Sequence, residues 1–330
     1  MSLSAIILAA GKSTRMKSAT PKPLHEICGR PMLRWITEAC FQAGCDRLIL
    51  VVGHGKDLVQ AEFAGDDCIR FVEQAEQKGT GHAVMVCEEE LKKIDGSVLI
   101  LAGDLPLVQG HVLRGLAERH EQANADASMA TAILEDPFGY GRVVRDAAGE
   151  FVKIVEQVDA TPEEAAITES FPSLYCVKVP ALLGALAKLT NDNKKGEYYL
   201  TDIFEHARRA GQKVLATPAV TREDIIAPND RVQLAQADAV MQQRIQDAIR
   251  AAGVTVSSSA GTYIEADVEI GQDTVVHPFS FIGRGAKLGG GCVVGPFAFV
   301  PRGAVLKSGT VLAGNIRPES VGLVEGGPQA

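Results

Sequence analysis

Aliphatic residues recur at every sixth position near the C-terminus, and this period restricts the fold more than any other feature of the chain. The nine positions are Ile264, Ile270, Val276, Ile282, Leu288, Val294, Val300, Leu306 and Leu312. Four residues after each of these stands a residue that is mostly small: Val268, Thr274, Ser280, Ala286, Cys292, Ala298, Ala304, Thr310 and Ile316. A period of six is typical of a β-helix whose inward residues stack from coil to coil. At about eighteen residues per triangular turn, nine hexads predict about three coils.

A helix is predicted immediately before this repeat. Apolar residues follow helical spacing from residue 229 to about 252, Asn229 or Asp230 could cap the start, and Gly253 ends the pattern. This segment is predicted to connect two domains. The stretch after Arg317 is rich in Gly and Pro, and we expect it to be loosely ordered.

Short apolar strands alternate with helical segments from residue 5 to about 227. The clearest strand candidates are Arg47–Gly53, Ser97–Asp104 and Ala127–Leu134, and the helix candidates between them are Met32–Ala43, Thr80–Leu91 and His111–Gln122. This alternation predicts an α/β domain with a mostly parallel sheet that helices cover on both faces. Ligands of such sheets bind beyond the carboxyl ends of the strands.

The stretch Leu8–Lys22 follows the first apolar strand and has the character of an anion-binding loop. Gly11 lets backbone N–H groups approach an anion closely, and Arg15 and Lys22 add two positive charges. Two cations along one loop suit a polyphosphate better than a single carboxylate. Gly103 and Asp104 also follow a strand, so we expect them to face the same crevice.

The overall charge makes nucleic acid and anionic membranes poor partners. The 330 residues include 33 basic and 41 acidic side chains, which gives a formal net charge of −8. The seven cysteines are scattered and form no C-x-x-C pair, which favours reduced thiols, and the histidines show no metal-ligand spacing. With no apolar run long enough to span a bilayer, the sequence predicts a cytoplasmic protein without a membrane partner.

Several motifs, in order, resemble one bacterial family. They are Leu8–Lys22, Gln74–His82, Ala102–Pro106, Gly139–Arg142, Ile154–Glu156 with Asp159–Thr161, Gly196–Asp202 and, more weakly, Gly295–Ala298. The family is the bifunctional N-acetylglucosamine-1-phosphate uridylyltransferase/glucosamine-1-phosphate acetyltransferase, which supplies a cell-wall precursor. The resemblance implies a Rossmann-like nucleotide-diphospho-sugar transferase domain at 1–228, a connector helix at 229–252 and a short left-handed β-helix with its tail at 253–330.

The resemblance also implies a role for each site residue. The nucleotide would be bound by Leu8, Ala9, Ala10, Gly11, Lys22, Gln74, Gly79, Thr80 and Gly103, with Gln74, Gly79 and Thr80 reading the uracil. Arg15, Lys22 and Asp104 would be catalytic, with both cations on the triphosphate. Asp104 and Asn229 would hold Mg²⁺, and Gly141 and Glu156 would contact the sugar.

The implied reaction is attack of a sugar-1-phosphate oxygen on the α-phosphate of UTP, with loss of pyrophosphate. It needs positioned cations and a metal rather than a nucleophile–base pair, and the motif residues supply that set. Taken singly, Asp104 could end a strand, Arg15, Lys22 and Glu156 could be surface residues, and Asn229 could be a helix cap. Together they predict an enzyme, most specifically one that forms UDP-N-acetylglucosamine.

The chain departs from the family at two places. Ser13 stands where the family usually has a second glycine. The family also has E-x-N-x-G where this chain reads Glu169-Ser-Phe-Pro-Ser173, and its asparagine contacts the sugar. Phe171 cannot make that hydrogen bond, so the same reaction on another sugar-1-phosphate stays open.

The acetyl-transfer residues of the family are not matched. They lie in later coils, including a catalytic histidine that this chain does not reach, and Pro301-Arg302 reverses the family's Arg-Pro order. We therefore expect no acetyltransferase activity, and we expect the β-helix to serve as a homotrimer interface. A non-catalytic nucleotide-sugar-binding or assembly protein remains a third hypothesis.

Overall fold

The computed structural model describes residues 2–12 and 14–313 and groups them into two compact units. The first unit comprises the residues up to Leu24 and Met32–Asp230. The second comprises His25–Pro31 and the described residues from Arg231 onward. The expectation for the tail after Arg317, the departure at Ser13 and the last position of the repeat, Ile316, lie outside the described residues.

The secondary-structure elements are numbered in chain order. The strands are β1 (Ser2–Leu8), β2 (Glu26–Ile27), β3 (Arg30–Pro31), β4 (Arg47–Val52), β5 (Ile69–Glu73), β6 (Gly96–Ala102), β7 (Ala127–Ile133), β8 (Gly141–Arg145), β9 (Phe151–Val155), β10 (Glu169–Phe171), β11 (Leu174–Lys178), β12 (Val214–Pro218), β13 (Thr255–Val256), β14 (Tyr263–Ile264), β15 (Glu269–Ile270), β16 (Val275–Val276), β17 (Phe281–Ile282), β18 (Lys287–Leu288), β19 (Val293–Val294), β20 (Phe299–Val300), β21 (Val305–Leu306) and β22 (Val311–Leu312). The helices are α1 (Met32–Gln42), α2 (Lys56–Glu62), α3 (Thr80–Met85), α4 (Glu88–Leu91), α5 (Gly110–Gln122), α6 (Pro162–Ala165), α7 (Val179–Leu186), α8 (Asp202–Arg209) and α9 (Arg231–Ala251), and a short 3₁₀ helix spans Lys22–Leu24.

The first unit is built on one ten-stranded sheet. Its strand order is β5-β4-β1-β6-β11-β7-β10-β8-β9, and β12 pairs with β7. The four strands β5, β4, β1 and β6 are parallel, as the sequence pattern predicts. The expectation of a mostly parallel sheet is wrong for the other half, because β11, β10 and β8 run antiparallel to the strands beside them. Of these antiparallel pairs only β8 and β9 follow one another in the chain through a short turn. The other pairs join strands that are distant in sequence, so their direction is set by the partner that each strand finds in the folded sheet.

Helices pack on both faces of this sheet, as predicted. Side chains alternate along β1, so that Ile6 lies in one apolar cluster while Ala5 and Ile7 lie in the other. Helices α3, α7 and α8 cover the face of Ile6, and α1 and α5 cover the opposite face. The predicted helix Thr80–Leu91 is interrupted, since α3 ends at Met85 and α4 begins at Glu88.

His120 is a buried polar residue in the core of the first unit. Its ring nitrogens lie 3.0 Å from the Ser97 hydroxyl and 2.8 Å from the Ser128 hydroxyl, and the side chain is 1% exposed. Burial, and then the positive charge of Lys178, lower the pKa of His120 to about 4, although Asp126 opposes the shift. The ring is therefore neutral near pH 7 and contributes hydrogen bonds rather than charge.

The second unit confirms the six-residue period. Strands two residues long stack into three parallel sheets, ordered β13-β16-β19-β22, β14-β17-β20 and β15-β18-β21. From β14 onward, partners are eighteen residues apart, as in Ile264 beside Ile282 beside Val300. Of the nine predicted aliphatic positions, only Ile270 is not fully buried. The short left-handed parallel β-helix, like the α/β class of the first unit, is confirmed.

A left-handed backbone conformation also recurs every sixth residue in this β-helix, at the turns. The positions with φ between about +59° and +75° are Asp267, Asp273, Phe279, Gly285, Gly291, Phe297, Gly303 and Gly309. Glycine and aspartate adopt this conformation readily, whereas a bulky aromatic residue does so at a cost of about 1–2 kcal/mol. The two phenylalanines therefore stand at positions that backbone preference alone would give to glycine.

Helix α9 and the hairpin of β2 and β3 both pack within the second unit. The buried amides of Gln242 and Gln246 bond the backbone of the first coil, with Gln246 Nε2 donating to Thr262 O at 2.9 Å. Arg302, the displaced basic residue, donates to Glu265 at 2.7 Å and to Glu26 of the hairpin at 3.1 Å. These contacts explain why residues 25–31 belong to this unit. Among the described helices, none combines the length and apolar character needed to cross a bilayer.

The buried neutral His120 predicts a specific pH dependence of stability. In the unfolded chain the ring gains a proton below about pH 6.5, but in the folded chain only below about pH 4, so stability is lost as the pH falls through this window. The slope from one proton is at most about 1.4 kcal/mol per pH unit. Urea unfolding at pH 7, 6 and 5 should show a steeper loss for the wild type than for His120→Gln. Equal slopes for the wild type and His120→Gln would contradict the prediction.

Candidate active site

The parallel pairing of β1 with β6 places the opening loop next to Asp104. Leu8 stands opposite Ala102 in the register, and the Gly103 N–H donates to Leu8 O at 2.9 Å. A β-carbon on Gly103 would lie 2.7 Å from that carbonyl oxygen, which is closer than real contacts allow. Glycine is therefore required at this position so that the two strand ends can meet.

A cavity of about 440 Å³ opens at this edge of the first unit. It is lined by every residue assigned to the nucleotide, the triphosphate and the metal: Leu8, Ala9, Ala10, Gly11, Arg15, Lys22, Gln74, Gly79, Thr80, Gly103, Asp104 and Asn229. These residues come from four separate stretches of sequence. The structure brings them to one place, while their individual roles remain predictions.

Four charged or polar side chains converge within this cavity. Lys22 Nζ donates to a carboxylate oxygen of Asp104 and, at 2.9 Å, to the amide oxygen of Asn229. Arg15 Nη2 donates to the same Asn229 oxygen at 2.9 Å. The Lys22 side chain is only 11% exposed, so its charge acts in a partly dehydrated setting.

The backbone around these groups fixes their positions. Lys22 begins the 3₁₀ helix between Pro21 and Pro23, whose rings restrict φ on both sides. The Asn229 amide nitrogen donates to Ala227 O at 3.0 Å, which turns its oxygen toward Lys22 and Arg15. Asn229 lies two residues before α9 begins, and these hydrogen bonds are those of an oriented amide.

The opposite end of the cavity is formed by the Gln74–His82 motif. Gln74 is buried, and its amide nitrogen donates to Gly79 O at 3.0 Å and lies 3.2 Å from Nδ1 of His82. The Thr80 hydroxyl accepts from Leu200 N–H at 3.1 Å, which joins this motif to the Gly196–Asp202 motif. Gly79 has φ +101°, and a β-carbon there would lie 2.6 Å from Tyr198 O.

A second cavity of about 180 Å³ lies beside the first, and Asp104, Ala102 and Ser173 line both. It contains the two residues assigned to the sugar, Gly141 and Glu156. Glu156 accepts from the Thr201 hydroxyl at 3.1 Å. Burial raises the pKa of this carboxyl, and the Thr201 hydrogen bond only partly opposes the shift.

The departure at Glu169–Ser173 forms one wall of this second cavity. Phe171 and Pro172 line it, and the Phe171 ring packs edge-on against Tyr175 and Phe204, with centroids 4.8 and 5.7 Å away. Phe171 therefore borders the cavity without filling it. Glu169 is turned away and forms a bidentate pair with Arg145 at 2.7 Å, which holds the pKa of Glu169 below its ordinary value even though burial raises it.

Several lining residues were not among the predicted ones. In the first cavity they include Lys12, Thr14, Gln77, Ser173, Tyr175 and Glu197. Lys12, Thr14 and Gln77 fall inside recognised motifs, and the Gln77 amide nitrogen donates to Ala10 O at 2.6 Å. Tyr175 is a strand residue that the apolar pattern assigns to the core, so its position beside the cavity had no sequence signal.

The donor set suits a sparse metal site. Within residues 2–12 and 14–313, no three His, Cys, Asp or Glu side chains are grouped as metal ligands. Asp104 and Asn229 instead offer two oxygens that meet at a single cation, the Lys22 ammonium. Mg²⁺ is commonly held by one or two protein oxygens, with phosphates and waters as the remaining ligands.

Comparison with known families agrees with this geometry. Residues 5–210 match the family described as MobA-like NTP transferase domain. The chain belongs to this family. It is therefore a nucleotidyltransferase by family, and the matched region lies in the first unit except for His25–Pro31.

Curated relatives and solved structures extend the comparison. The chain is 46% identical over 276 residues to "Bifunctional protein GlmU" of Caldanaerobacter subterraneus, and 45% identical over 276 residues to the protein of that name from Geobacter metallireducens. Each match covers 84% of this chain and 60% or 58% of the relative, so the chain spans about three fifths of their length. The resemblance seen in the motifs is thereby confirmed. A crystal structure of a UDP-glucose pyrophosphorylase complexed with UDP-glucose has a TM-score of 0.63 and 19% identity, covering 74% of this chain and 100% of that one, which confirms the fold of the nucleotidyltransferase unit.

Two glycines of the cavity should respond differently to the same substitution. A β-carbon on Gly11 would meet no protein atom within 4 Å, whereas one on Gly103 would press on Leu8 O. We expect Gly103→Ala to lower the unfolding free energy by about 1–3 kcal/mol. Gly11→Ala should leave thermal denaturation unchanged and weaken the calorimetric affinity for a nucleoside triphosphate about tenfold. Equal destabilisation by both variants would contradict this assignment of the loop.

Proposed function

We propose that this chain is a Mg²⁺-dependent uridylyltransferase that forms a UDP-sugar and pyrophosphate from UTP and a sugar-1-phosphate. The sugar that the resemblance implies is N-acetylglucosamine. The proposal rests on family membership and on the relatives named above, and it assigns to this chain the first of the activities that those relatives' family combines.

The observation that carries the proposal is the position of Asp104 on both cavities. The larger cavity has room for a nucleotide, and the smaller one has room for a sugar ring. A carboxylate at their junction lies where the phosphates of two substrates would meet. A reaction that joins two phosphate esters needs its charged groups at that junction.

The chemistry asks the protein to hold two anions in line and to neutralise charge. A phosphate oxygen of the sugar-1-phosphate attacks the α-phosphorus of UTP, and the bond to the bridging oxygen breaks to release pyrophosphate. Arg15 and Lys22 supply positive charge beside Leu8–Gly11, the loop residues that line the cavity. These local cations offset the repulsion that a chain of net charge −8 would exert on UTP.

Asp104 and Asn229 are the residues that we propose to hold Mg²⁺. A bound Mg²⁺ would supply Lewis-acid stabilisation of the phosphate oxygens. Asn229 contributes a neutral oxygen whose orientation is set by Ala227 O. Asp104 contributes the charge that makes a divalent cation preferable to a monovalent one.

Glu156 is the proposed sugar-contacting carboxylate. Because one of its oxygens accepts from Thr201, the group is oriented within the second cavity before substrate arrives. A buried carboxylate accepts strong hydrogen bonds from sugar hydroxyls because few water molecules compete for its oxygens. Because burial raises its pKa, this carboxyl takes up a proton at a higher pH than an ordinary glutamate does, so sugar affinity should decline as the pH is lowered.

An alternative within the same chemistry uses a different sugar-1-phosphate, and one observation favours it. Phe171 and Pro172 replace the amide donor that the family places against the sugar, and they present an apolar wall. An acetamido oxygen facing this wall would lose a hydrogen bond, which costs about 1–3 kcal/mol. A sugar with a smaller polar group at that point would lose less.

We also propose that the second unit assembles as a homotrimer. The first residue of most strands faces outward, and two of the three β-helix faces are apolar there: Val275, Val293 and Val311 on one, and Phe281 and Phe299 on the next. Tyr263, the neighbour of Phe281 in that sheet, instead bonds Asp238 of α9 through its hydroxyl. The third face carries Glu269 and Lys287, paired at 2.8 Å. Two different apolar faces on one subunit suit a head-to-tail contact that closes into a ring.

The corner between the two apolar faces strengthens this proposal. Phe279 and Phe297 stack with centroids 5.1 Å apart and are 62% and 58% exposed. Both are held in the left-handed conformation that disfavours aromatic residues. An exposed aromatic pair kept at backbone cost is expected where it becomes buried in an interface. The expected lack of acetyltransferase activity and the cytoplasmic location remain predictions.

Pyrophosphate release over a panel of nucleoside triphosphates and sugar-1-phosphates tests the proposed reaction. We expect turnover with UTP and N-acetylglucosamine-1-phosphate that depends on Mg²⁺. Asp104→Ala and Lys22→Ala should each lower kcat/KM by about two or more orders of magnitude, because each removes charge at the reacting phosphates. The exposed Asp67 provides the control, since Asp67→Ala should keep the wild-type rate.

Other outcomes of this panel have defined meanings. Turnover with UTP but only with another sugar-1-phosphate would favour the alternative substrate that the apolar wall at Phe171 supports. No turnover with any pair, or wild-type rates for both Asp104→Ala and Lys22→Ala, would contradict the proposed function and its site.

Analytical ultracentrifugation tests the proposed trimer. Asparagine tolerates the left-handed conformation, so replacing Phe279 and Phe297 together by asparagine should keep the β-helix folded while removing the apolar corner. We expect the wild type to sediment as a trimer and the double variant as a monomer. Val305→Thr on the third face should keep the trimer, and a monomeric wild type would refute the assembly.

A further inference from the structure

The ammonium of Lys22 is bonded to the two residues assigned to the metal. It donates to the Asp104 carboxylate and, at 2.9 Å, to the Asn229 amide oxygen. These are the two oxygens assigned to Mg²⁺, and the ammonium meets both at once. The cation assigned to the triphosphate thus stands between the ligands assigned to the metal.

Arg15 is engaged in the same way. Its guanidinium donates to the Asn229 oxygen at 2.9 Å, so that one oxygen accepts from two cations. The Asn229 amide nitrogen is bonded to Ala227 O, which keeps the oxygen facing them. Both cations assigned to the triphosphate are therefore directed at the residues assigned to the metal.

We infer that the Lys22 ammonium occupies the divalent-metal position until nucleotide binds, so that Lys22 and the metal exclude one another at Asp104. An Mg²⁺ ion lies about 2.0–2.1 Å from its ligand oxygens. An ammonium bonded to the same carboxylate oxygen would face that ion at close range, in a partly buried site where charge repulsion is weakly screened. This inference rests on the proposed function.

The triphosphate gives Lys22 another partner. The backbone of Lys22 is held between Pro21 and Pro23, but its side chain has four methylene groups and can redirect its ammonium from Asp104 to a phosphate oxygen. Nucleotide binding would then free the carboxylate for the metal. By linkage, the nucleotide then raises the affinity for the metal by the same factor as the metal raises the affinity for the nucleotide. Because Lys22 competes for Asp104 until the nucleotide binds, we expect the metal to bind together with the nucleotide rather than before it.

Direct metal binding without nucleotide is the test, with Mn²⁺ as the probe. Free Mn²⁺ is measured by electron paramagnetic resonance during titration of the full chain. Lys22→Met should bind Mn²⁺ about tenfold or more tightly than the wild type, because the carboxylate has lost its internal cation. Lys22→Gln should shift in the same direction, and equal thermal denaturation should establish that the variants are folded.

Lys12→Met is the matched control. Lys12 is exposed and lines the same cavity, so its replacement removes the same charge from the same region without vacating Asp104. We expect its Mn²⁺ affinity to change less than about twofold. Adding Asp104→Asn to Lys22→Met should abolish the increase in Mn²⁺ affinity. That result would show that the tighter Mn²⁺ binding depends on the Asp104 carboxylate.

Two results would overturn the inference. One is an Mn²⁺ affinity of Lys22→Met that equals the wild type or rises no more than that of Lys12→Met. The other is a gain that survives Asp104→Asn. The proposed function fails differently, through absence of pyrophosphate release, and that result leaves the metal titrations unaffected.

Discussion

The parallel pairing of β1 with β6 is the constraint on which the first unit's cavity depends. It brings the carbonyl of Leu8 and the N–H of Gly103 within 2.9 Å, so that the opening loop and Asp104 leave the sheet side by side. Parallel strands end at the same edge, and this edge collects loops that are about ninety residues apart in sequence. The remaining groups, Lys22 and Asn229, bond to Asp104 or to each other, and so their positions follow from this pairing.

Much of the first unit could be predicted because its strands and helices have strong periodicity. Helix α1 and strands β4, β6 and β7 lie within two residues of their predicted bounds. The antiparallel half could not be predicted, since strand direction depends on the partner that a segment finds in the folded sheet. The apolar run of β11 reads the same whether it pairs parallel or antiparallel with β6.

The site residues were predictable in a different sense. Most of the motifs follow the end of a strand, as after β1, β5, β6 and β9, and the structure gathers all of the predicted residues around two adjoining cavities. What the sequence could not show is which side chains bond to one another. The contact of Lys22 with Asp104, across 82 residues, depends on the geometry of the loop between two prolines. Tyr175 gave no signal because a core strand residue and a cavity wall residue share the same apolar pattern.

In the β-helix, the left-handed turn position repeats in step with the aliphatic one, and both return to the same face after eighteen residues. One coil of eighteen residues could therefore be added or removed without changing the pattern of the others. A change of eighteen residues would preserve the stacking of the aliphatic interior, the alignment of the turns and the identity of every outward face. A change of six would keep the interior but rotate each later face by one third of a turn, so that the aromatic column would no longer stack on itself. The fold thus permits the length of such a chain to vary, but only in whole coils.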